Sequence, residues 1–258
     1  MTAYALTLAG SDPTGGAGIQ ADLKTFAAMG VYGLSVITCL TAQSSSGIRS
    51  VHPVPPLFIR SQLESLLEDF RIDAFKIGMV YQTDIIKETG RLIRDHNLKN
   101  LVLDPLLRAS SGGDLLKEEG IEVLKEELFP LTTLLTPNLD EAGMLAGLNI
   151  KDLDLMREAA RRIHAMGPGF VLIKGGHLEG QIQDLFFDGK TFITTPMERI
   201  SGEVHGTGCT LSAAITAGLA KGLNISEAIF KAQEYTRRVI KGAFSVGKGP
   251  RYPDHFVR

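Results

Sequence analysis

Short apolar runs alternate with longer amphipathic stretches along almost the whole chain, and this alternation limits the possible folds more than any other feature. Residues 4–8, 34–40, 74–77, 101–103, 131–135 and 170–173 form runs that read as buried strands. Residues 17–29, 55–70, 82–96, 114–128, 138–146 and 152–166 carry helical patterns. In 55–70, Leu57, Ile59, Leu63, Leu66, Leu67 and Phe70 fall largely on one stripe. Two long helical patterns, 207–221 and 225–243, follow. Such strand–helix alternation predicts βαβ units: an α/β fold with a mainly parallel central sheet and helices on both faces. One piece departs from it. Residues 185–188 and 191–195 flank Asp188-Gly189, a hairpin-turn pair, and predict a small antiparallel hairpin at one sheet edge. No Pro/Ser-rich linker, charge block or internal repeat divides the chain, so one domain over 1–258 is expected.

Composition removes several function classes. With 27 basic and 29 acidic side chains there is no basic excess for a nucleic-acid partner. No apolar run reaches the ~18 residues of a membrane span, and Met1 to Gly10 lacks the basic start of a signal peptide. The two cysteines, Cys39 and Cys209, give no disulfide framework. The six histidines show no zinc spacing, and no G-x-S-x-G elbow is present. A reduced, cytoplasmic protein acting on a small molecule is the expectation, with no nucleic acid and no membrane as partner.

In open α/β sheets ligands sit beyond the carboxyl ends of the strands, so polar or glycine-rich clusters there carry most weight. The most informative is Val204-His205-Gly206-Thr207-Gly208-Cys209-Thr210, which opens a helix of small residues. Free N–H groups and the dipole at such a helix start attract anions, and glycines allow close approach. It is neither G-x-G-x-x-G nor a P-loop. Cys209 falls in the first helical turn, where a thiol pKa is expected to fall; a small buried residue is the equal alternative. Residues 10–18 place four glycines in nine positions after the first strand, a loop suited to a ligand. Asp22, beyond it, reads as a surface carboxylate or as a ligand contact.

The remaining candidates each keep a bland reading. Asn138 with Glu141 is a helix-capping pattern, with a metal-water role for Glu141 raised only by its place after a strand. Asn224 with Glu227 reads as a cap alone. Lys174, before Gly175-Gly176-His177, suits a phosphate or simply leaves a strand. Asp104-Pro105 is a turn pair or a magnesium or orienting carboxylate. Gln43 offers donor and acceptor side by side, suited to the edge of an aminopyrimidine or amide-like ligand, or merely opens a polar loop. Residues 44–47 after it could form a mobile cover.

Taken in order, Ala9-Gly10-Ser11-Asp12-Pro13-Thr14-Gly15-Gly16-Ala17-Gly18-Ile19-Gln20-Ala21-Asp22, Leu40-Thr41-Ala42-Gln43, Lys76-Ile77-Gly78-Met79, Asp104-Pro105, Thr136-Pro137-Asn138 with Glu141, Lys174-Gly175-Gly176-His177 and His205-Gly206-Thr207-Gly208-Cys209-Thr210 resemble the hydroxymethylpyrimidine/phosphomethylpyrimidine kinases of thiamine biosynthesis. The resemblance implies a ribokinase-like fold and ATP- and Mg2+-dependent phosphorylation of 4-amino-5-hydroxymethyl-2-methylpyrimidine, then of its monophosphate. It puts the pyrimidine contacts on Ala17, Asp22, Gln43 and Met79, with Cys209 at the floor of the site. Nucleotide and magnesium roles fall on Asn138, Glu141 and Lys174, and the anion hole on Gly206, Thr207, Gly208 and Cys209. From the chemistry of the site itself, Asp104 is expected to share the magnesium with Glu141, and Leu106 to face the substrate. A homodimer is expected from relatives. The chain departs from the family at Leu106, Leu107 and Arg108, and at Ser201-Gly202-Glu203-Val204. On this reading Cys209 is expected to act as general base, with pocket lining as the rival role. Pyridoxal or pyridoxine kinase is the nearest alternative function, and a non-catalytic pyrimidine-binding module the alternative of another class.

Overall fold

Tyr4–Ser11 (β1) forms the spine of the sheet, because its Ala-Leu-Thr-Leu-Ala-Gly core has nothing to offer water on either face. Helix Gly18–Ala28 (α1) returns the chain to Tyr32–Ser44 (β2), parallel to β1. β2 turns back into Gly47–Pro53 (β3), antiparallel to it. Helix Pro56–Asp69 (α2), with proline in its first turn, crosses to the other side of β1, where Ala74–Ile77 (β4) pairs in parallel. The pattern continues through Thr83–Asp95 (α3), Leu101–Leu103 (β5), Glu118–Glu127 (α4), Leu134–Leu135 (β6), Leu139–Ala146 (α5), Leu153–Ala165 (α6) and Phe170–Ile173 (β7). Gln183–Phe187 (β8) and Phe192–Pro196 (β9) add an antiparallel edge. Helices Thr207–Ala220 (α7) and Ile225–Lys241 (α8) follow, then Phe244–Ser245 (β10) paired with Arg251–Tyr252 (β11).

The computed structural model describes residues 2–108, 115–176, 182–198 and 202–257. Its main sheet has the order β3-β2-β1-β4-β5-β6-β7-β8-β9. The strand order therefore reverses at β1, with β2 on one side and β4 on the other, and this is where α/β sheets leave a crevice for a ligand.

Alternation along the strands divides the core in two. Ala5, Ala74, Val102, Leu134 and Leu172 pack with residues of α1, α7 and α8. Their neighbours Leu6, Phe75, Ile77, Leu101, Leu103, Leu135 and Val171 pack with α2 to α6. α7 is buried along its whole length from Cys209 to Ala220, as a helix without a polar face must be. Its small residues let neighbours come close. A Cβ at Gly218 would lie 2.9 Å from that of Ala228 on α8. Among the described residues, no helix is long and apolar enough to cross a membrane.

The predicted parallel sheet and edge hairpin are present, and three local readings need correction. The strand expected at 34–40 extends to Ser44 and pairs with β3, so residues 44–47 form a hairpin turn rather than a loose cover. β3 escaped notice because Gly47-Ile48-Arg49-Ser50-Val51-His52-Pro53 is a partly polar edge strand without an apolar run. The run at 131–135 holds only a two-residue strand. Pro130 lies in a preceding 3-10 turn, Phe129–Leu131, and Leu134 pairs first. The helix expected from 114 begins at Glu118; residues 109–114 lie outside the described residues, as do His177 and Ser201.

Both expected helix caps form. The Asn224 side chain accepts from Glu227 N at 3.0 Å, and Glu227 returns the bond to Asn224 N at 3.2 Å. Asn224→Ala should therefore lower stability by ~1 kcal/mol in urea unfolding. A loss indistinguishable from zero would mean that the box contributes nothing to α8.

Candidate active site

The first turn of α7 is the centre of the site. Gly206 serves as its N-cap with φ of 77° and no side-chain cap. The residue must be glycine for a second reason: a Cβ there would run into the carbonyl oxygen of Gly16. The glycine loop after β1 and the glycine start of α7 thus meet backbone to backbone. Gly18, with φ of 58°, likewise lies against the Gly10 carbonyl. Gly206, Thr207 and Gly208 remain half-buried, so the helix start is open to a ligand, and its orphan N–H groups point outward.

Loop 12–17 is held by one carboxylate. Asp12 Oδ1 accepts from Thr14 N at 2.9 Å, and Oδ2 from Ala17 N at 2.9 Å and His205 Nε2 at 3.0 Å. Burial pushes the Asp12 carboxyl up, but these donors outweigh it and hold its pKa below the ordinary value. His205 also lies 3.3 Å from the end of the Gln43 side chain. Met79 is buried beside Gly10, and its carbonyl accepts from Thr38 Oγ1 at 2.6 Å. Ala17, Gln43, Met79 and the α7 mouth therefore share one wall of the crevice.

The opposite wall comes from β5, β6 and β7. Lys174 Nζ lies 2.9 Å from Asp104 Oδ1. Gly208 makes room for both, since a Cβ there would sit 3.2 Å from Lys174 Nζ and 3.7 Å from Asp104 Oδ2. Ser212 Oγ lies 3.2 Å from Asp104 Oδ2 and nearer, at 2.9 Å, to the Gly208 carbonyl oxygen, which competes for its one hydrogen. Burial opposes charge on Lys174, yet Asp104 and Glu141 raise its pKa. Burial likewise works against the Asp104 carboxylate, but Lys174 and Lys76 hold its pKa below the ordinary value. Lys174 keeps 17% of its side chain exposed and Asp104 only 1%, so the ammonium faces the crevice and the carboxylate supports it from behind. Asn138 and Glu141 form a complete capping box on α5. Burial pushes Glu141 up to about 7, with Lys174 pulling the other way.

Beneath the α7 mouth lies a second ion pair that the sequence reading missed as a functional feature. Lys76 on β4 and Asp22 on α1 are both fully buried and 2.6 Å apart. Thr7 Oγ1 donates to the other Asp22 oxygen at 2.6 Å. Burial opposes the Lys76 ammonium, but Asp22, Cys209 and Asp104 raise its pKa well above the ordinary value. Burial pushes the Asp22 carboxyl upward, and Lys76 and Thr7 offset part of that. Asp22 is thus neither a surface carboxylate nor open to solvent; it sits one layer below the crevice. The signal available in the sequence was a lysine inside Ala-Phe-Lys-Ile, a run otherwise fit for burial on both faces.

Cys209 lies against this layer and corrects one expectation. Its thiol is raised to about 11 rather than lowered, because burial outweighs the help of Lys76 and of the Gly18 N–H. The helix start cannot make a thiolate where water is excluded. Leu106 is half-buried after Asp104, its N–H donating to the Asp104 carbonyl at 2.9 Å.

Among the described residues, no three His, Cys, Asp or Glu side chains converge as a metal cage. A magnesium ion carried on phosphates needs no such cage, only one or two carboxylates and its own waters. Glu141, held by backbone N–H groups of Asn138 and Leu107 beside Lys174, fits that role. Asp104 is already committed to Lys174 and fits it less well.

Comparison with known proteins extends over nearly the whole chain. Residues 12–254 match the family model described as phosphomethylpyrimidine kinase. The chain is 42% identical over 256 residues to a hydroxymethylpyrimidine/phosphomethylpyrimidine kinase of Bacillus subtilis, covering 98% of this chain and 94% of that one. It is 44% identical over 254 residues to a thiamine biosynthesis bifunctional protein of Geobacter sulfurreducens, where it covers 98% of this chain but only 52% of the larger protein. The solved ADP complex of Bacillus subtilis pyridoxal kinase superposes with a TM-score of 0.92 at 40% identity, over 99% of this chain and 98% of that one.

Removing one partner of the buried pair should be severe. Lys76→Met leaves Asp22 uncompensated and should cost ~3–5 kcal/mol in urea unfolding, part of which the double variant Lys76→Met/Asp22→Asn restores. A single-variant loss below ~1 kcal/mol would mean that the pair is not the ground state of this layer.

Proposed function

The chain belongs to the phosphomethylpyrimidine kinase family, and from that premise we propose that it transfers the γ-phosphoryl group of ATP, with Mg2+, to the hydroxymethyl group of 4-amino-5-hydroxymethyl-2-methylpyrimidine and then to the resulting monophosphate, for thiamine biosynthesis. The observation that carries the reading is the open start of α7 with Lys174 at its side. Phosphoryl transfer asks for positioning and charge neutralisation rather than covalent help from the protein. The N–H groups of residues 206–209 would receive charge on the migrating group, and Lys174, set by Asp104, would add a point charge beside it. Magnesium, when bound with the nucleotide, supplies further neutralisation, with Glu141 the residue to hold its water shell. Asn138 would stand on the nucleotide side. Ala17, Gln43 and Met79 would face the pyrimidine, with Leu106 in the wall and Asp22 acting through Lys76.

In this reading Cys209 lines the floor and is not the base. A thiol near 11 is protonated at neutral pH, and a loose transition state leaves the acceptor hydroxyl its proton until late. The whole chain acts as one kinase unit of ribokinase-like fold, cytoplasmic and homodimeric. Exposed Leu40 on β2 and Leu57 and Phe58 on α2 are apolar surface available for a second copy.

A second reading, pyridoxal or pyridoxine kinase, is supported by the likeness to the Bacillus subtilis pyridoxal kinase. Incubation with ATP, Mg2+ and either the pyrimidine alcohol or pyridoxal, pyridoxine and pyridoxamine, with products identified by mass, separates the two. Pyrimidine mono- and diphosphate are expected; turnover of the pyridine alcohols alone would reverse the assignment, and binding without ADP formation would indicate a non-catalytic module. Cys209→Ala should keep turnover within about ten-fold of the parent and the same pH profile between pH 6 and 9, whereas loss of a general base removes ~10²–10⁴-fold.

A further inference from the structure

His205 opens the α7 loop, yet its ring nitrogen faces two partners with conflicting demands. Nε2 lies 3.0 Å from Asp12 Oδ2 and 3.3 Å from one end of the Gln43 carboxamide. The Asp12 carboxyl already gathers the Ala17 N–H on Oδ2 and the Thr14 N–H and hydroxyl on Oδ1, so it is an ionised acceptor, and the hydrogen of the imidazole contact sits on Nε2. A nitrogen that carries a hydrogen has no lone pair to offer. The Gln43 end facing it must therefore be the oxygen.

The other end of the carboxamide gives the same answer independently. Thr41 Oγ1 lies 2.9 Å from the Ser11 carbonyl oxygen and 3.2 Å from the second end of Gln43. A hydroxyl has one hydrogen, and a carbonyl can only accept it. Toward Gln43, Thr41 is then an acceptor, and the amide end beside it must be the NH2. The two ends of a carboxamide have the same shape, so partners decide which is which.

We propose that Asp12, acting through His205, fixes the Gln43 carboxamide with its oxygen toward the imidazole and its NH2 toward Thr41, and that this fixed order of donor and acceptor selects the ring of the acceptor alcohol. The surroundings make the arrangement rigid. Asp12 is anchored by Thr14 and Ala17, and the His205 ring packs edge-on to Tyr252 at 5.8 Å, in space that Gly16 leaves free. A carboxamide free to turn reads rings with either order of donor and acceptor. A fixed one favours an edge that pairs an amino donor with an adjacent ring-nitrogen acceptor, as a 4-aminopyrimidine does, and leaves a hydroxypyridine imperfectly matched. His205 is then a positioning residue, and its role rests on the proposed reading of Gln43 as the group that faces the ring.

The test compares the parent, His205→Ala and His205→Gln, the last able to return an N–H to Asp12. In His205→Ala the KM for the pyrimidine alcohol should rise about ten-fold, with kcat and the ATP KM changed by less than about two-fold. The kcat/KM ratio of pyrimidine alcohol to pyridoxine should fall about ten-fold, and His205→Gln should restore much of it. An unchanged ratio, or an equal loss for ATP, overturns the selectivity role. Amide orientation is read separately, without turnover. In protein labelled with 15N-glutamine, the Gln43 NH2 signals, assigned by their loss in Gln43→Ala, should show NOEs to the Thr41 methyl and not to the His205 ring. The reverse pattern overturns the assignment. A parent that gives the expected NOEs but phosphorylates neither alcohol refutes the kinase reading while upholding the orientation.

Discussion

A backbone carbonyl pressed against a bare Cα sets the position of everything at the crevice. The Gly16 oxygen occupies the space where any side chain at 206 would stand, and this contact brings the loop after β1 onto the start of α7. Two distant stretches of sequence, 190 positions apart (206 − 16), thereby meet backbone to backbone, with the Asp12–His205 contact beside them. The left-handed φ of Gly206 then aims the first N–H groups of α7 outward. A methyl group at 206 would impose both a steric clash and a strained backbone. The open helix start proposed to receive the anion therefore depends on a missing side chain at Gly206 and on the loop after β1 already being in place.

Below that contact, the protein has set charge where the hydrophobic effect would prefer none. Lys76, Asp22, Asp104 and Glu141 are buried around the inner face of the α7 mouth. Burying ions is expensive and stabilises little in itself. What this layer provides is a fixed field. Lys174 can stay charged at the crevice because the buried Asp104 carboxylate lies 2.9 Å behind it. The same layer explains the Cys209 thiol. Helix dipole and nearby Lys76 favour thiolate, but Asp22 and Asp104 oppose it, and the removal of water is the larger effect. A first-turn cysteine is activated only where solvent or uncompensated positive charge reaches it, and here neither does.

Much of the architecture was legible because it follows from period and from breakers. The parallel strands declare themselves as apolar runs, the β8–β9 hairpin through Asp188-Gly189, and the α5 and α8 starts through Asn138/Glu141 and Asn224/Glu227. β3 was not legible, since an edge strand is selected to look unlike a strand. Nor was the β10–β11 ribbon, whose two-residue strands carry no periodicity. In the crevice, the glycine motifs could be read because glycine has few reasons to cluster. The Asp12–His205–Gln43 chain could not, because it joins residues from three separate loops and strands through single contacts. Lys76 lay between these cases: its burial was implied by its neighbours, but its partner Asp22, 54 positions away (76 − 22), was not.

These features divide labour between the two sides of α7. The β5–β7 side carries the charged groups Lys174, Asp104 and Glu141. The β1–β2 side carries Gln43, His205, Thr41 and Asp12, neutral or internally paired groups that act on the order of donors and acceptors. Charge acts over distance and tolerates small displacements, whereas hydrogen-bond order is lost with a single turned amide. On the proposed function, that difference would let one set of charged groups serve acceptor alcohols of differing shape. On the same proposal, discrimination would fall to the loop side, where turning one carboxamide would change which ring is welcome and leave the charged groups around Lys174 untouched.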